Sequence, residues 1–380
     1  MSHKEVIEFI QSTFATTGSI PLHVPIFSRK EREYVLDTLE STLVSSVGAY
    51  VDRAEQMMAD ICQTQTAVAV VNGTAGLHMA LQLVGVKPGE EVITQALTFV
   101  ATANAIHYTG AEPVFLDVDY ETMGLSANSV KRFLENFCEK REKVTFNKKT
   151  GKRIGALMPM HTFGFPVDLE GLTAVCSEWN IPMVEDAAES LGSYYKGRHT
   201  GSFGEIGVFS FNGNKIVTSG GGGMLVTKDA SLGLLGKHLT TTAKVPHTYE
   251  YVHDYIGYNY RMPNLNAALL CAQLEQLDSF LENKRQLADA YAAFFAKQNI
   301  QFRQEQENTH ANYWLMCVEL ENLEARNRFL ADTNAEGVMT RPIWQLMYRL
   351  PMFEHCYRDE QKNAEFLEER IVNIPSSVKF

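Results

Sequence analysis

From about residue 67 onward, short apolar runs alternate with helical patterns. Ala67-Val68-Ala69-Val70-Val71 is apolar at every position, and Gly73-Thr74-Ala75 then opens a pattern with Leu77, Ala80, Leu81 and Leu83 on one face. Strand-like runs recur at 91–94, 114–118, 154–160 and 182–184, with helical patterns at 101–108 and 169–179. Runs that are continuously apolar predict strands covered on both faces. Their alternation with helices predicts an α/β domain with a mostly parallel sheet. Apolar residues then recur at helical spacing over 263–298, which predicts one long linking helix. A strand at 313–320, a helix at 323–334 and a strand at 337–340 predict a smaller C-terminal α+β domain. The resulting division is 1–260 for the large domain, including an N-terminal segment 1–60, and 261–380 for the linking helix and small domain.

One segment breaks the pattern. Residues 139–153 carry a burst of charge, from Glu139-Lys140-Arg141 to Lys152-Arg153. Two readings are open there, a solvated hairpin or loop and a phosphate-binding insertion. The 380-residue chain is long enough to bury more than one core. Its formal charge of −11 argues against unaided nucleic-acid binding, yet backbone amides can still hold small anions. No apolar run approaches the ~20 residues that a membrane-spanning helix needs. The stretch Met1-Ser2-His3-Lys4-Glu5-Val6 predicts no signal peptide, so a soluble, cytoplasmic protein is expected. The six cysteines (Cys62, Cys138, Cys176, Cys271, Cys317 and Cys356) are scattered, which predicts buried thiols in a reducing compartment. No cluster has metal-ligand spacing, and no metal is expected.

The chemistry centres on Lys215, which lies between the apolar run Gly207-Val208-Phe209 and the Gly220-Gly221-Gly222-Gly223 loop. A lysine desolvated at a sheet edge is placed to form an imine with a carbonyl; the bland alternative is an exposed loop lysine. Upstream, Met183-Val184-Glu185-Asp186 ends a second apolar strand in a carboxylate. Asp186 is suited to keep a pyridine nitrogen protonated, or simply caps the next turn. Asn72-Gly73-Thr74-Ala75 joins a strand to a helix, so first-turn amides at Thr74 and Ala75 can cradle a phosphate, and Gly73 permits close approach. Thr74 as a plain N-cap is the alternative. Ser210 can add a hydroxyl, and Phe99, at a strand-to-helix junction, is either core or a stacking ring. His161, at a strand end, either binds substrate or is structural. The glycine run lacks the strand–GxGxxG–helix order, which argues against a dinucleotide site.

Five ordered segments resemble the DegT/DnrJ/EryC1/StrS sugar aminotransferases: Asn72-Gly73-Thr74-Ala75, Leu97 to Thr102, Glu185-Asp186-Ala187-Ala188-Glu189, Phe209 to Lys215, and Gly257 to Met262. The resemblance implies the fold-type-I pyridoxal 5'-phosphate (PLP) transferase architecture and a homodimer with shared sites. Lys215 then stands as the Schiff-base lysine and Asp186 as the pyridinium partner. Thr74, Ala75 and Ser210 stand as phosphate ligands, Phe99 as the stacking ring, and Asn259 as a residue reaching the neighbouring subunit's phosphate. Glu189 falls where many members carry Gln or His near the cofactor's phenolic oxygen. Ser45, His161 and Arg341 lie in family-like segments and are expected to touch substrate. Lysine at 215 implies amino transfer, because relatives that dehydrate the sugar carry histidine there. The 139–153 insertion, Tyr255 to Asn259 and Thr340 to Trp344 are most similar to the LegC-like branch. That branch implies L-glutamate as donor and UDP-4-keto-6-deoxy-N-acetylglucosamine as acceptor, aminated at C4 for surface-glycan, lipopolysaccharide or nonulosonic-acid-type synthesis. GDP- and dTDP-linked keto sugars, or a C3 keto carbon, are the alternatives, and a remote one is a non-catalytic regulator that binds PLP or the sugar nucleotide without turnover.

Overall fold

The computed structural model describes residues 3–298 and 300–379. Its main sheet uses β1 (Thr66–Val70), β2 (Glu91–Gln95), β3 (Glu112–Leu116), β4 (Ile154–Leu157), β5 (Val184–Asp186), β6 (Ile206–Ser210) and β7 (Gly223–Thr227). β2 pairs in parallel with both β3 and β4, and β5 pairs in parallel with β6. Parallel bridges Leu157–Met183 and Met160–Asp186 join these two groups into one sheet. β7 is the exception to the parallel pattern, running antiparallel to both β6 and β1. The spatial order is therefore β3-β2-β4-β5-β6-β7-β1. Because β1 and β6 both oppose β7, the C-terminal ends of β1, β5 and β6 open on one edge. That is where ligands bind in open α/β sheets.

Helix Gly73–Leu83 starts at this edge, capped by Asn72, whose Oδ1 accepts from the Ala75 N–H at 2.8 Å. A Cβ on Gly76 would fall 2.7 Å from Val208 Cγ1, so the glycine lets this helix lie directly on β6. A second, antiparallel sheet takes Gln301–Phe302, Met316–Glu319, Ile371–Ile374 and Arg341–Pro342 in that spatial order.

Several expectations are corrected. The 263–298 helix is two helices, Asn264–Leu274 and Leu277–Phe295. At the break Glu275 accepts from Lys30 (2.6 Å), Tyr34 (2.9 Å) and Arg53. Gln276 Nε2 donates to Glu31 at 2.7 Å, so tertiary polar contacts override the helical period. The strand expected at 337–340 is absent: Gly337 has φ +76° and Val338 bridges only Ile20, and the pairing starts at Arg341. Tyr313 lies in the left-handed region (φ +49°), which delays the 313–320 strand to Met316. Within the N-terminal segment assigned to the large domain, helix Lys4–Thr13 packs on the C-terminal layer, with Phe9 stacked on Phe294 at 4.1 Å. Segment 139–153 lies largely in a hairpin, Cys138–Arg141 with Val144–Asn147, and its charges also tie it to the sheet, Lys152 to Glu112 at 2.7 Å and Arg153 to Glu90 at 3.1 Å. All six cysteines are free and buried. No helix among the described residues is long and apolar enough to cross a membrane.

Glu55 joins helix Ala49–Cys62 to the sheet, accepting from the Ala69 N–H at 3.0 Å and from Arg261 at 2.8 Å. Both side chains are more than nine-tenths buried. Glu55→Ala leaves the guanidinium unpaired and is expected to cost about 3–5 kcal/mol in urea unfolding.

Candidate active site

The aligned ends of β1, β5 and β6 line a cavity of about 630 Å³, closed on another side by Trp314, Arg341, Trp344 and Asn373. Each strand end delivers one group. β1 leads into Asn72-Gly73-Thr74, β5 ends in Asp186, and β6 ends in Ser210 and runs into the turn that presents Lys215. Three backbone bonds shape that turn: Phe211 N–H to Gly222 O (2.8 Å), Ser219 N–H to Phe211 O (3.0 Å) and Lys215 N–H to Asn212 O (3.0 Å).

Lys215 Nζ lies 3.1 Å from Glu189 Oε1 and 3.6 Å from the centroid of the Trp314 ring. The other Glu189 oxygen accepts from the Phe163 N–H at 2.9 Å. Burial pushes the Glu189 carboxyl up to about 7, with Lys215 and the Phe163 amide pulling the other way. Near neutral pH the Glu189 carboxyl therefore stands between its protonated and ionised forms. Asp186 is also buried: Oδ2 accepts from Thr102 Oγ1 at 2.7 Å and Oδ1 from the Ala188 N–H at 3.2 Å. Burial outweighs these bonds and holds its carboxyl above the ordinary range, so Asp186 favours a cationic partner.

The helix at β1 offers an anion cradle. A Cβ at Gly73 would lie 3.0 Å from Ser210 Cβ, so this glycine brings the helix start against the serine. The Gly73 and Thr74 amides belong to the first turn and have no intrahelical acceptor. The Ala75 amide does not join them as expected, because the Asn72 cap engages it. Phe99 is 50% exposed and lines the cavity, its ring 6.4 Å from that of Trp344, so it is a wall residue and not core.

The cavity does not gather every expected residue. His161 is fully buried away from it: the Val167 N–H donates to Nδ1 (3.3 Å), which leaves Nε2–H to donate to Glu185 (3.1 Å). The expectation of a substrate contact is corrected, since no face of the ring is left for a ligand. Ser45 is exposed on a loop outside the cavity, its carbonyl accepting from the Asn264 N–H at 2.6 Å. Asn259 is exposed and outside this cavity, on a backbone bridge to Thr241. Arg341 does line the cavity.

Two contributors escaped sequence reasoning. Glu185 accepts from the amides of Gly201 (2.7 Å), Phe203 (2.6 Å) and Gly204 (2.8 Å) as well as from His161. Burial alone raises this carboxyl, but those donors hold it below the ordinary range, and they tie the loop before β6 to the end of β5. Trp314 is clamped on all sides. Its N–H donates to Asn312 Oδ1 (2.8 Å), its Nε1 to Asn214 O (2.7 Å), and its carbonyl accepts from the buried Lys284 (3.1 Å). Nothing local marks Trp314, since only the fold brings it over Lys215. Glu185 did have a signal, a carboxylate inside an apolar strand, which must find donors.

The chain matches the DegT/DnrJ/EryC1/StrS aminotransferase family over residues 25–380. It is 38% identical over 361 residues to the GDP-perosamine synthase of Escherichia coli O157:H7, covering 94% of this chain and 93% of that one. It is 34% identical over 362 residues to the Bacillus subtilis (strain 168) protein EpsN, named a putative pyridoxal phosphate-dependent aminotransferase, covering 94% and 90%. Among solved structures, the aminotransferase TlmJ from Streptoalloteichus hindustanus superposes with a TM-score of 0.85 at 25% identity, covering 94% of each chain.

The Glu189 carboxyl sits at about 7 in the fold against an ordinary 4.5. The native state therefore keeps a proton that the unfolded chain releases, and native stability falls as pH rises through that window. Relative to Glu189→Gln, the natural protein is expected to lose on the order of 3 kcal/mol between pH 4.5 and 7. Urea unfolding of the two proteins at pH 5 and pH 8 measures it; parallel pH profiles would refute it.

Proposed function

Because the chain belongs to the DegT/DnrJ/EryC1/StrS aminotransferase family, whose members are PLP-dependent enzymes of fold type I, we propose that it carries an amino group from L-glutamate to the C4 keto carbon of a nucleotide-linked 4-keto-6-deoxy sugar. The observation that carries this reading is Lys215 held beside two buried carboxylates at converging strand ends. When bound, PLP supplies an aldehyde that links to an amine and a ring that accepts electrons from the adjoining carbon. The residues fit it. The Gly73 and Thr74 amides with Ser210 would hold the phosphate, Phe99 would flank the ring, and Asp186 would face the ring nitrogen. A cation at Asp186 relieves what burial imposes on that carboxylate.

Lys215 is the base that moves a proton to and from the reacting carbon in each half of the exchange. Glu189 keeps that amine at hand and, at about 7, can give up or take a proton near neutral pH. The walls of Trp314, Phe163 and Trp344 exclude water, which strengthens the charge interactions inside. The GDP-perosamine synthase relative supports a GDP-linked sugar. The segments Tyr255 to Asn259 and Thr340 to Trp344 support the UDP-linked 4-keto-6-deoxy-N-acetylglucosamine instead. A cytoplasmic setting agrees with six free, buried thiols.

The exposed position of Asn259 outside its own cavity supports a homodimer in which it reaches the partner's phosphate. So do the exposed apolar side chains Phe27, Leu36, Leu39, Val47 and Ile256.

Lys215→Ala is expected to lower turnover by at least about a thousandfold, read as amino-sugar product by NMR after incubation with glutamate and either GDP- or UDP-linked 4-keto-6-deoxy sugar. Undiminished product from the variant, or no product from the natural protein with either nucleotide, would remove the reading. Sedimentation is expected to give twice the chain mass of 42.6 kDa, and a monomer active on its own would sink the shared-site arrangement.

A further inference from the structure

Lys284 is a fully buried lysine that no step of the proposed reaction uses. It lies on helix Leu277–Phe295, and its Nζ donates to the carbonyls of Trp314 (3.1 Å) and Ser376. Those two carbonyls stand where a ladder ends. Met316–Glu319 and Ile371–Ile374 pair antiparallel, with Met316 opposite Ile374 as the last pair on this side. The same register carried two residues further sets Trp314 opposite Ser376, yet their backbone N–H groups turn elsewhere. Ser376 donates to Leu22 O (2.7 Å) and Trp314 to Asn312 Oδ1 (2.8 Å), so the Lys284 amine alone joins the two carbonyls. Lysine is seldom fully buried without a carboxylate. Among the described residues no carboxylate pairs with this one, and burial lowers it to about 7. The buried His23 imidazole is held well below its ordinary range by burial and by the charges of Lys284 and Lys215, so it offers this amine no counter-charge. A methionine would fill the same space without that electrostatic cost. The amine is therefore explained by what it holds.

What it holds is the residue over Lys215. The Trp314 ring lies 3.6 Å from Lys215 Nζ, and its Nε1 donates at 2.7 Å to the carbonyl of Asn214, the residue before that lysine. A continuous run of contacts thus leads from Lys284 through Trp314 to the turn that carries Lys215. We propose that Lys284 is a positioning residue of the reaction: acting through Trp314, it fixes where the Lys215 amine stands as it moves a proton. Proton transfer needs that amine within hydrogen-bond reach of the reacting carbon, and a displacement of about 1 Å costs on the order of a hundredfold. The inference rests on Lys215 as the proton carrier of the aminotransferase reading.

The experiment is a double-mutant cycle with Lys284→Met and Trp314→Phe, the second of which keeps a ring over Lys215 and removes the bond to Asn214. In the PLP-loaded proteins the single-turnover rate with glutamate is expected to fall about thirtyfold in each variant, with glutamate affinity within about twofold. The double variant should lose no more than about twofold beyond the slower single one, because Lys284 has nothing left to transmit once Trp314 is loosed from the turn. Covalent attachment of PLP to the cofactor-free proteins, followed by absorbance, should slow about tenfold in both single variants, which reads the Lys215 amine without turnover. Thermal midpoints are measured first; if Lys284→Met does not fold, Lys284→Gln, with two N–H donors on a shorter stem, takes its place. Three results overturn the proposal: an unchanged single-turnover rate in the Lys284 variant, losses that multiply to about a thousandfold in the double variant as independent defects do, or PLP attachment equally fast in all the proteins. If the natural protein attaches PLP yet takes no amino group from glutamate, the aminotransferase reading fails, and the attachment rates still decide whether Lys284 positions Lys215.

Discussion

The Lys215 amine, gripped between the Glu189 carboxylate and the face of Trp314, is the contact around which the rest of the site is arranged. Two buried carboxylates, Asp186 and Glu189, lie within one small cavity, and burial raises both. Left with one lysine between them, they form a site that favours positive charge and resists full ionisation. A site of this kind stores electrostatic free energy in a fixed geometry, which bound cationic groups then release.

That geometry is maintained by groups that never reach the cavity. Glu185 collects three backbone amides and an imidazole, so the strand end carrying Asp186 and the loop leading to β6 cannot shift independently. From the other side, Asn312 donates through Nδ2 to the carbonyls of Glu189 (2.9 Å) and Leu191 (2.8 Å) while holding the Trp314 amide. The buried amine of Lys284, lowered to about 7 by burial, secures the Trp314 carbonyl. A segment far along the chain is thereby stitched to the turn after β5. The left-handed backbone at Tyr313 is the local strain that this stitching holds in place.

Much of this was legible in the sequence. Continuously apolar runs and their alternation with helices announce a covered, mostly parallel sheet, because such runs need burial on both faces and helical crossovers supply it. Strand-end carboxylates, a glycine at a strand-to-helix turn and a lysine beside a glycine run announce Asp186, Gly73 and Lys215, because each needs only its immediate neighbours to be recognised. The misreadings share one cause. The break at Glu275, the absent strand at 337–340 and the burial of His161 each follow from contacts with residues remote in sequence, such as Lys30, Ile20 and Glu185.

What the chain alone determined, then, is the layer architecture and the local chemistry of each strand end, since both follow from periodicity and from backbone groups a few residues apart. The tertiary structure decided which groups face one another. It put Trp314 over Lys215, withdrew His161 and the Ala75 amide, left Asn259 outside, and set Asn373 beside Arg341. Spatial neighbours drawn from distant segments leave no periodic trace in a sequence. Only the closing of the sheets against each other selects them.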